Sequence, residues 1–297
     1  MEKKREYCGK KVTFMSCSVC NTKCKHCYVS YKGNIDSKDL YDMCLKLKSK
    51  YQLNINGTEI LLQNYYDSLK LINQYRILTN GIAITNNPKI LTKLQDAGVN
   101  MIAMSYHFGI HDKVSDVKQC LIENNIKLIQ KKGMNVELMC TITQKNYNLV
   151  LDICEKALKL NVHKLRFINY LKTGNALTIT DNNVLTDEQK KEFFRQLTIA
   201  RNIYAKEDLL IKRCGTFGKD FSNSKCNFIC PAGQDEIVIA PNLKVYPCIF
   251  LVKEGYEIGE YINGHIYLNK IIIHDGNLCL ADQIFNKNKQ IKFERLG

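Results

Sequence analysis

Across residues 12–171, short apolar runs alternate with longer amphipathic stretches, and this alternation restricts the chain to very few folds. The apolar runs at 12–17, 53–56, 75–79, 100–105, 136–143 and 164–170 predict six strands. Helices are predicted over 36–50, 65–73, 88–96, 117–131 and 147–160, with Ser37 or Asn87 as starts and Gly98 or Gly133 as stops. Strands and helices in this order imply parallel strands joined by right-handed crossovers. A parallel sheet must be covered on both faces, which leaves an open doubly wound sheet or a full or partial (β/α) barrel. One more long helix is expected over 186–205, after which the character changes. Residues 211–228 are rich in Gly, Ser, Lys and Cys, and two β-rich runs at 236–240 and 244–248 flank Pro241-Asn242 as a hairpin. A boundary is therefore expected near 205–213, dividing the chain into 1–205 and 206–297.

Composition narrows the class without naming a function. The 297 residues include 45% hydrophobic and 24% charged side chains, a globular balance that excludes a disordered or fibrous chain. The first ten residues lack the apolar stretch of a secretory signal, and no segment reaches the ~18 apolar residues of a membrane span. A cytoplasmic protein without a membrane partner is expected. Forty-three Lys and Arg against 29 Asp and Glu leave a net charge of +14, which favours acidic partners. The basic residues are scattered, however, and no aromatic-interleaved stripe points to nucleic acid. Fourteen cysteines are many for a reducing compartment, where thiolates serve as soft metal ligands more readily than as disulfides.

Three of those cysteines, Cys20, Cys24 and Cys27, fall within eight residues directly after the first predicted strand. They can converge on one metal centre if the segment forms a loop. Cys17, Cys20, Cys24 and Cys27 also have plausible zinc spacing with His26 as a spare ligand, although Cys17 ends an apolar strand where a buried thiol is commonplace. A CxxxCxxC motif after the first strand of a βα repeat resembles the signature of the radical S-adenosylmethionine (radical SAM) superfamily. The resemblance implies a partial (β/α)6 TIM-type barrel in which Cys20, Cys24 and Cys27 hold a [4Fe-4S] cluster with one open iron. That iron would chelate SAM, whose reductive cleavage gives a 5′-deoxyadenosyl radical. Asn56-Gly57-Thr58-Glu59 resembles the family's Gly-Gly-Glu-Pro segment, and Ser105-Tyr106-His107 its Ser-x-Asp/His pattern. On this basis His26, Tyr28, Gly57, Thr58, Glu59 and Ser105 are expected around the cofactor, with Glu59 accepting hydrogen bonds from the SAM ammonium group. Thr79-Asn80-Gly81 and Gly174 are further echoes of the family.

The second set, Cys226, Cys230 and Cys248, with Ala232-Gly233 and the hairpin between, resembles the start of the twitch or SPASM extension of radical SAM enzymes. Leu243 stands where that pattern usually has Gly. Cys226, Cys230, Cys248 and Cys279 are the expected ligands of one auxiliary [4Fe-4S] cluster, with Cys214 as the substitute for Cys279; a zinc ion is the alternative for the same thiols. Cys8, Cys44, Cys120, Cys140 and Cys154 are expected to be buried apolar thiols or surface residues. The implied function is hydrogen abstraction from a peptide, as in ribosomal peptide maturation, with a flavodoxin or ferredoxin as the low-potential donor. The alternatives are a radical SAM dehydrogenase of a sugar or other small molecule and, more remotely, a non-catalytic zinc or Fe-S module that binds nucleic acid. No catalytic side chain is assigned. With 19 residues ahead of Cys20, no separate N-terminal peptide-recognition domain is expected.

Overall fold

After a two-residue strand, β1 (Arg5–Glu6), each predicted apolar run forms a strand: β2 (Lys11–Met15), β3 (Gln52–Asn56), β4 (Arg76–Leu78), β5 (Met101–Ser105), β6 (Asn135–Ile142) and β7 (Lys164–Asn169). The structure is a computed structural model and describes residues 4–180, 182–218 and 228–296. Helices α1 (Ser37–Leu47), α2 (Tyr66–Leu71), α3 (Ile82–Asn86), α4 (Ile90–Asp96), α5 (His111–Val114), α6 (Gln119–Lys131) and α7 (Val150–Lys159) connect the strands. In α6 the residues at helical spacing, Ile122, Ile126 and Ile129, are buried against the sheet. Each contributes on the order of 2 kcal/mol of burial. Gly98 and Gly133 end α4 and α6 with φ of +87° and +72°, as expected for helix stops. The start of α1 differs from expectation by one residue: Asp36, not Ser37, is the cap, accepting the Lys38 N–H at 2.8 Å. Ser37 becomes the first helical residue.

The long helix forms as α8 (Asp187–Ile203), opened by a capping box between Thr186 and Gln189. The remaining elements are β8 (Leu210–Arg213), β9 (Glu236–Ile239), β10 (Lys244–Tyr246), β11 (Gly259–Ile262), β12 (His265–Leu268), β13 (Lys270–Ile273), α9 (Leu280–Phe285) and β14 (Lys292–Arg295). The strands form two large sheets. One has the order β1-β12-β11-β10-β9-β2-β3, the other is the all-parallel β4-β5-β6-β7-β8, and β13 and β14 pair apart from both. The expected hairpin is present as β9 and β10, and β9 also pairs in parallel with β2. β8 likewise extends the barrel by pairing in parallel with β7. Backbone hydrogen bonding therefore runs across the expected division between 1–205 and 206–297, with barrel strands supplied from both sides of it.

No ladder joins β3 to β4, and the chain closes this seam with side chains. The buried amide of Gln74 accepts the Ile55 N–H at 2.6 Å and donates to the Ile55 and Arg76 carbonyls at 2.8 and 3.1 Å. It thereby does the work of a missing backbone peptide. At the hairpin, Leu243 adopts φ +60°, the left-handed conformation that explains why glycine is usual there.

Replacing Gln74 by Leu should lower the unfolding free energy by about 3 kcal/mol, since it strands buried backbone groups without partners. Urea denaturation of the full chain measures this. Leu243→Gly should raise the stability by roughly 0.5 kcal/mol, because relief of left-handed strain outweighs the added entropy of the unfolded chain.

Candidate functional site

The carboxyl ends of the barrel strands and the C-terminal region enclose one cavity of about 760 Å³. Cys20, Cys24 and Cys27 line it from the loop after β2, and Cys214, Cys230, Cys248 and Cys279 line it from the later part of the chain. Cys226 lies outside the described residues.

The loop carrying the first three cysteines is held from two sides. Asn175 donates its backbone N–H to the Cys27 carbonyl at 2.8 Å and its side-chain amide to the Cys24 carbonyl at 3.0 Å. Beside it, Gly174 has φ +61°, and a Cβ there would sit 2.4 Å from the Cys27 carbonyl oxygen. Only glycine allows that approach. From the other side, the Lys23 N–H donates to Asp116 at 2.5 Å and the Lys25 N–H to the Val114 carbonyl at 3.1 Å. The three thiols remain half-buried and open to the cavity. Asn80 donates to Cys20 Sγ at 3.7 Å, and Ser115 Oγ lies 3.7 Å from Cys24 Sγ. Burial raises the Cys27 thiol, and the neighbouring Cys24 and Cys20 add to the effect.

Cys17 is removed from any ligand set. It is fully buried, its sulfur fills the space beside Gly57, where a Cβ would lie 2.6 Å away, and it does not line the cavity. The four-cysteine zinc arrangement that includes Cys17 is thus not assembled. Among the described residues no three His, Cys, Asp or Glu groups are gathered closely enough to hold a single ion.

Glu59 also departs from expectation. Its side chain is 0% exposed and is not among the cavity-lining residues. One carboxylate oxygen accepts from Thr79 Oγ1 at 2.8 Å and the Leu61 N–H at 3.2 Å; the other accepts the Asn80 N–H at 2.6 Å. Burial raises its pKa, while these hydrogen bonds act in the opposite direction. The carboxylate is therefore spent on fixing the end of β4 and is not presented to a ligand. Gly57, Thr58, Ser105, His26 and Tyr28 do line the cavity. Thr58 lies beside Tyr31, and Tyr28 packs edge-on against Phe250 at 4.8 Å.

His107, from the Ser-x-Asp/His pattern, lines the cavity together with Asn169 and Arg166, for which the sequence suggested no role. His107 stacks edge-on with His26 at 4.4 Å. The Thr141 N–H donates to His107 Nδ1 at 3.2 Å, so a neutral ring carries its proton on Nε2, which is buried with no partner among the described residues. Asn169 likewise has an unpartnered buried Oδ1 at the end of β7. Arg166 enters the same cavity from β7. For Asn169 and Arg166 the only sequence signal was their place on a barrel strand, which does not separate a packed side chain from a ligand contact.

In the later cysteine group, burial pushes the Cys248 thiol up to about 12, and the nearby Cys230 and Cys214 add to the rise. Cys279 is raised well above the usual thiol value by burial, and then by Cys248 and Cys230. Cys214 and Cys230 thus act on Cys248, and Cys248 and Cys230 on Cys279, and all four thiols line the same cavity. Cys44, Cys140 and Cys154 are buried elsewhere, and Cys8 and Cys120 are exposed.

No family model and no curated protein matches the chain. Solved structures do. Streptococcus suis SuiB bound to S-adenosylmethionine superposes with a TM-score of 0.65 at 16% identity, covering 85% of this chain and 63% of that one. SuiB bound to precursor peptide SuiA gives 0.63 at 14%, covering 82% and 60%. Native anSMEcpe with bound AdoMet and Cp18Cys peptide gives 0.65 at 17%, covering 85% and 77%. The chain thus spans 60% to 63% of the length of these SuiB chains. The shared fold is an α/β partial barrel with a C-terminal extension. Among the described residues no helix is long and apolar enough to cross a membrane.

Burial holds the His107 imidazole well below its ordinary value of 6.5, so it stays neutral in the folded chain while the unfolded chain takes up a proton. The unfolded state then binds more protons, and stability should fall as the pH drops below about 6.5. His107→Gln should make the urea-midpoint profile shallower between pH 6.5 and 5.

Proposed function

We propose that the chain is a radical SAM enzyme that removes a hydrogen atom from a peptide substrate. The observation that carries this reading is the placement of two cysteine groups on the wall of one cavity, one on a pinned loop after β2 and one in the C-terminal region. The donor sets fit iron–sulfur clusters: three half-buried thiols with no fourth cysteine in their loop, and a separate group of four thiols. Cys20, Cys24 and Cys27 would hold the cluster that binds SAM, and Cys214, Cys230, Cys248 and Cys279 the auxiliary one, with Cys226 a further thiol near that group in sequence. When bound, the first cluster supplies the electron that cleaves the sulfonium bond of SAM to yield a 5′-deoxyadenosyl radical.

The chain's own residues bind and orient. Gly57 leaves its backbone accessible on the cavity wall, while Thr58, Ser105 and the His107 Nε2–H offer hydrogen bonds to a polar ligand. Glu59 acts as a positioning residue, holding Asn80 beside Cys20. Tyr28 and Phe250 supply an aromatic wall that excludes water. A peptide is favoured over a sugar because structures of the same fold hold peptides, SuiB with precursor peptide SuiA and anSMEcpe with the Cp18Cys peptide. A flavodoxin or ferredoxin in the cytoplasm would supply the electron.

Anaerobic reconstitution should give about seven to eight iron per chain and dithionite-dependent 5′-deoxyadenosine, consistent with two four-iron centres. Cys24→Ala should abolish deoxyadenosine formation, whereas Cys248→Ala should lower the iron content by about half and retain it. Tight zinc with negligible iron and no SAM cleavage would overturn the reading.

A further inference from the structure

At the floor of the cavity, cations outnumber carboxylates. Glu137 on β6 is 0% exposed and accepts from Arg76 Nε and Arg166 Nε at 2.5 Å each, with Lys164 Nζ at 3.4 Å. Three cations therefore surround one carboxylate. The neighbouring Lys11–Glu236 pair, at 2.7 Å, is balanced and adds nothing to the excess. Burial alone would raise the Glu137 carboxyl, but Arg76 and Arg166 hold it below its usual value. Lys164 is pushed down first by burial, with the two arginines adding to that effect against the pull of Glu137. Among the described residues that line the cavity, Glu236, already engaged by Lys11, is the sole carboxylate.

The arginines are oriented yet incompletely used. Each gives its Nε edge to Glu137. Arg76 Nη2 also meets Met139 Sδ at 3.1 Å, while the Nη groups of Arg166 make no hydrogen bond to the protein among the described residues. Their side chains are 32% and 29% exposed, and both line the cavity. In the sheet register Ser105 pairs with Met139, and Met139 with Arg166, so Arg166 lies in the strand layer of Ser105 on the cavity wall. A plug built for stability alone would balance its charges and close its donors. This cluster leaves positive charge and planar N–H groups facing the chamber, an arrangement suited to a carboxylate.

We propose that Arg166 and Arg76, fixed by Glu137, form a seat for a carboxylate of the substrate. The seat rests on the reading of this cavity as the substrate chamber and adds the substrate's charge class to it. Two sources share the chemistry, an acidic side chain and a free peptide C-terminus. The probes are three tripeptides, acetyl-Gly-Glu-Gly-amide, acetyl-Gly-Gln-Gly-amide and acetyl-Gly-Gln-Gly with a free carboxylate, titrated calorimetrically into the reconstituted full chain. One of the two carboxylate peptides should bind about tenfold more tightly than the uncharged one, and the stronger of the two identifies the source. Arg166→Gln leaves Glu137 short of a partner and risks misfolding, so Arg166→Lys is measured beside it. Lysine retains a charge near Glu137 but lacks the planar fork. A folded Arg166→Lys chain should lose most of the preference. Equal binding of all three peptides, no measurable binding, or a preference unchanged in Arg166→Lys would each overturn the seat. Deoxyadenosine is assayed on the same samples: its absence with the preference intact rejects the proposed reaction alone, and its presence without the preference rejects the seat alone.

Discussion

The molecule depends on a seam that backbone hydrogen bonds do not close. Between β3 and β4 the parallel ladder stops, and two polar side chains take its place: Gln74 near the middle and Glu59 at the carboxyl end. Both are buried, so each satisfies peptide groups that would otherwise lie desolvated and unpaired. The seam also bears on chemistry. Glu59 holds Asn80, and Asn80 reaches Cys20 Sγ and Asn21, so the joint between the two half-barrels continues into the loop that carries the first three thiols. A defect there would disturb the fold and the cavity wall together.

The loop is secured by the same economy of contacts. Asn175 and Gly174 follow β7, while Val114 and Asp116 follow β5, and together they fasten the loop from opposite sides of the barrel mouth. The thiols are left half-buried because those bonds engage backbone groups and not sulfur. Positioning through main-chain atoms keeps the ligating side chains available, which is what a metal-binding loop requires.

Much of this organisation was legible in the sequence, for identifiable reasons. The six parallel strands announce themselves because a buried parallel strand needs a continuous apolar run, and both cysteine groups because thiol spacing survives without knowledge of the fold. Other features depend on pairing partners distant in sequence. Nothing local marks β9 as the neighbour of β2, some 225 residues away by the Lys11–Glu236 bond. Glu59 matches a ligand-binding pattern by position, but which way a carboxylate turns is decided by Thr79 and Asn80 across the seam. Cys17 has metal-ligand spacing, and its burial becomes visible only once Gly57 is packed against it. Glu137 is the single charge of β6, and the β6–β7 register sets Lys164 opposite it with Arg166 two residues further on, so both reach it only once the strands pair.

That distant pairing ties the region of the later cysteines to the first barrel strand. Lys11 and Glu236 are register partners and also an ion pair, so the first barrel strand is aligned with the first strand of the late hairpin by backbone and side chain alike. Cys230 precedes β9 and Cys248 follows β10, so both lie in segments flanking the hairpin whose first strand pairs with β2. Cys214 follows β8, the last strand of the other sheet, and its N–H bonds the Phe167 carbonyl of β7. Segments that flank strands of both sheets thus bring thiols to one cavity. Removing the chain after residue 205 would strip β8 and β9 as well as the cysteines, exposing β7 and β2 as new edges. The later residues are consequently part of the barrel itself, since β8 and β9 pair directly with β7 and β2.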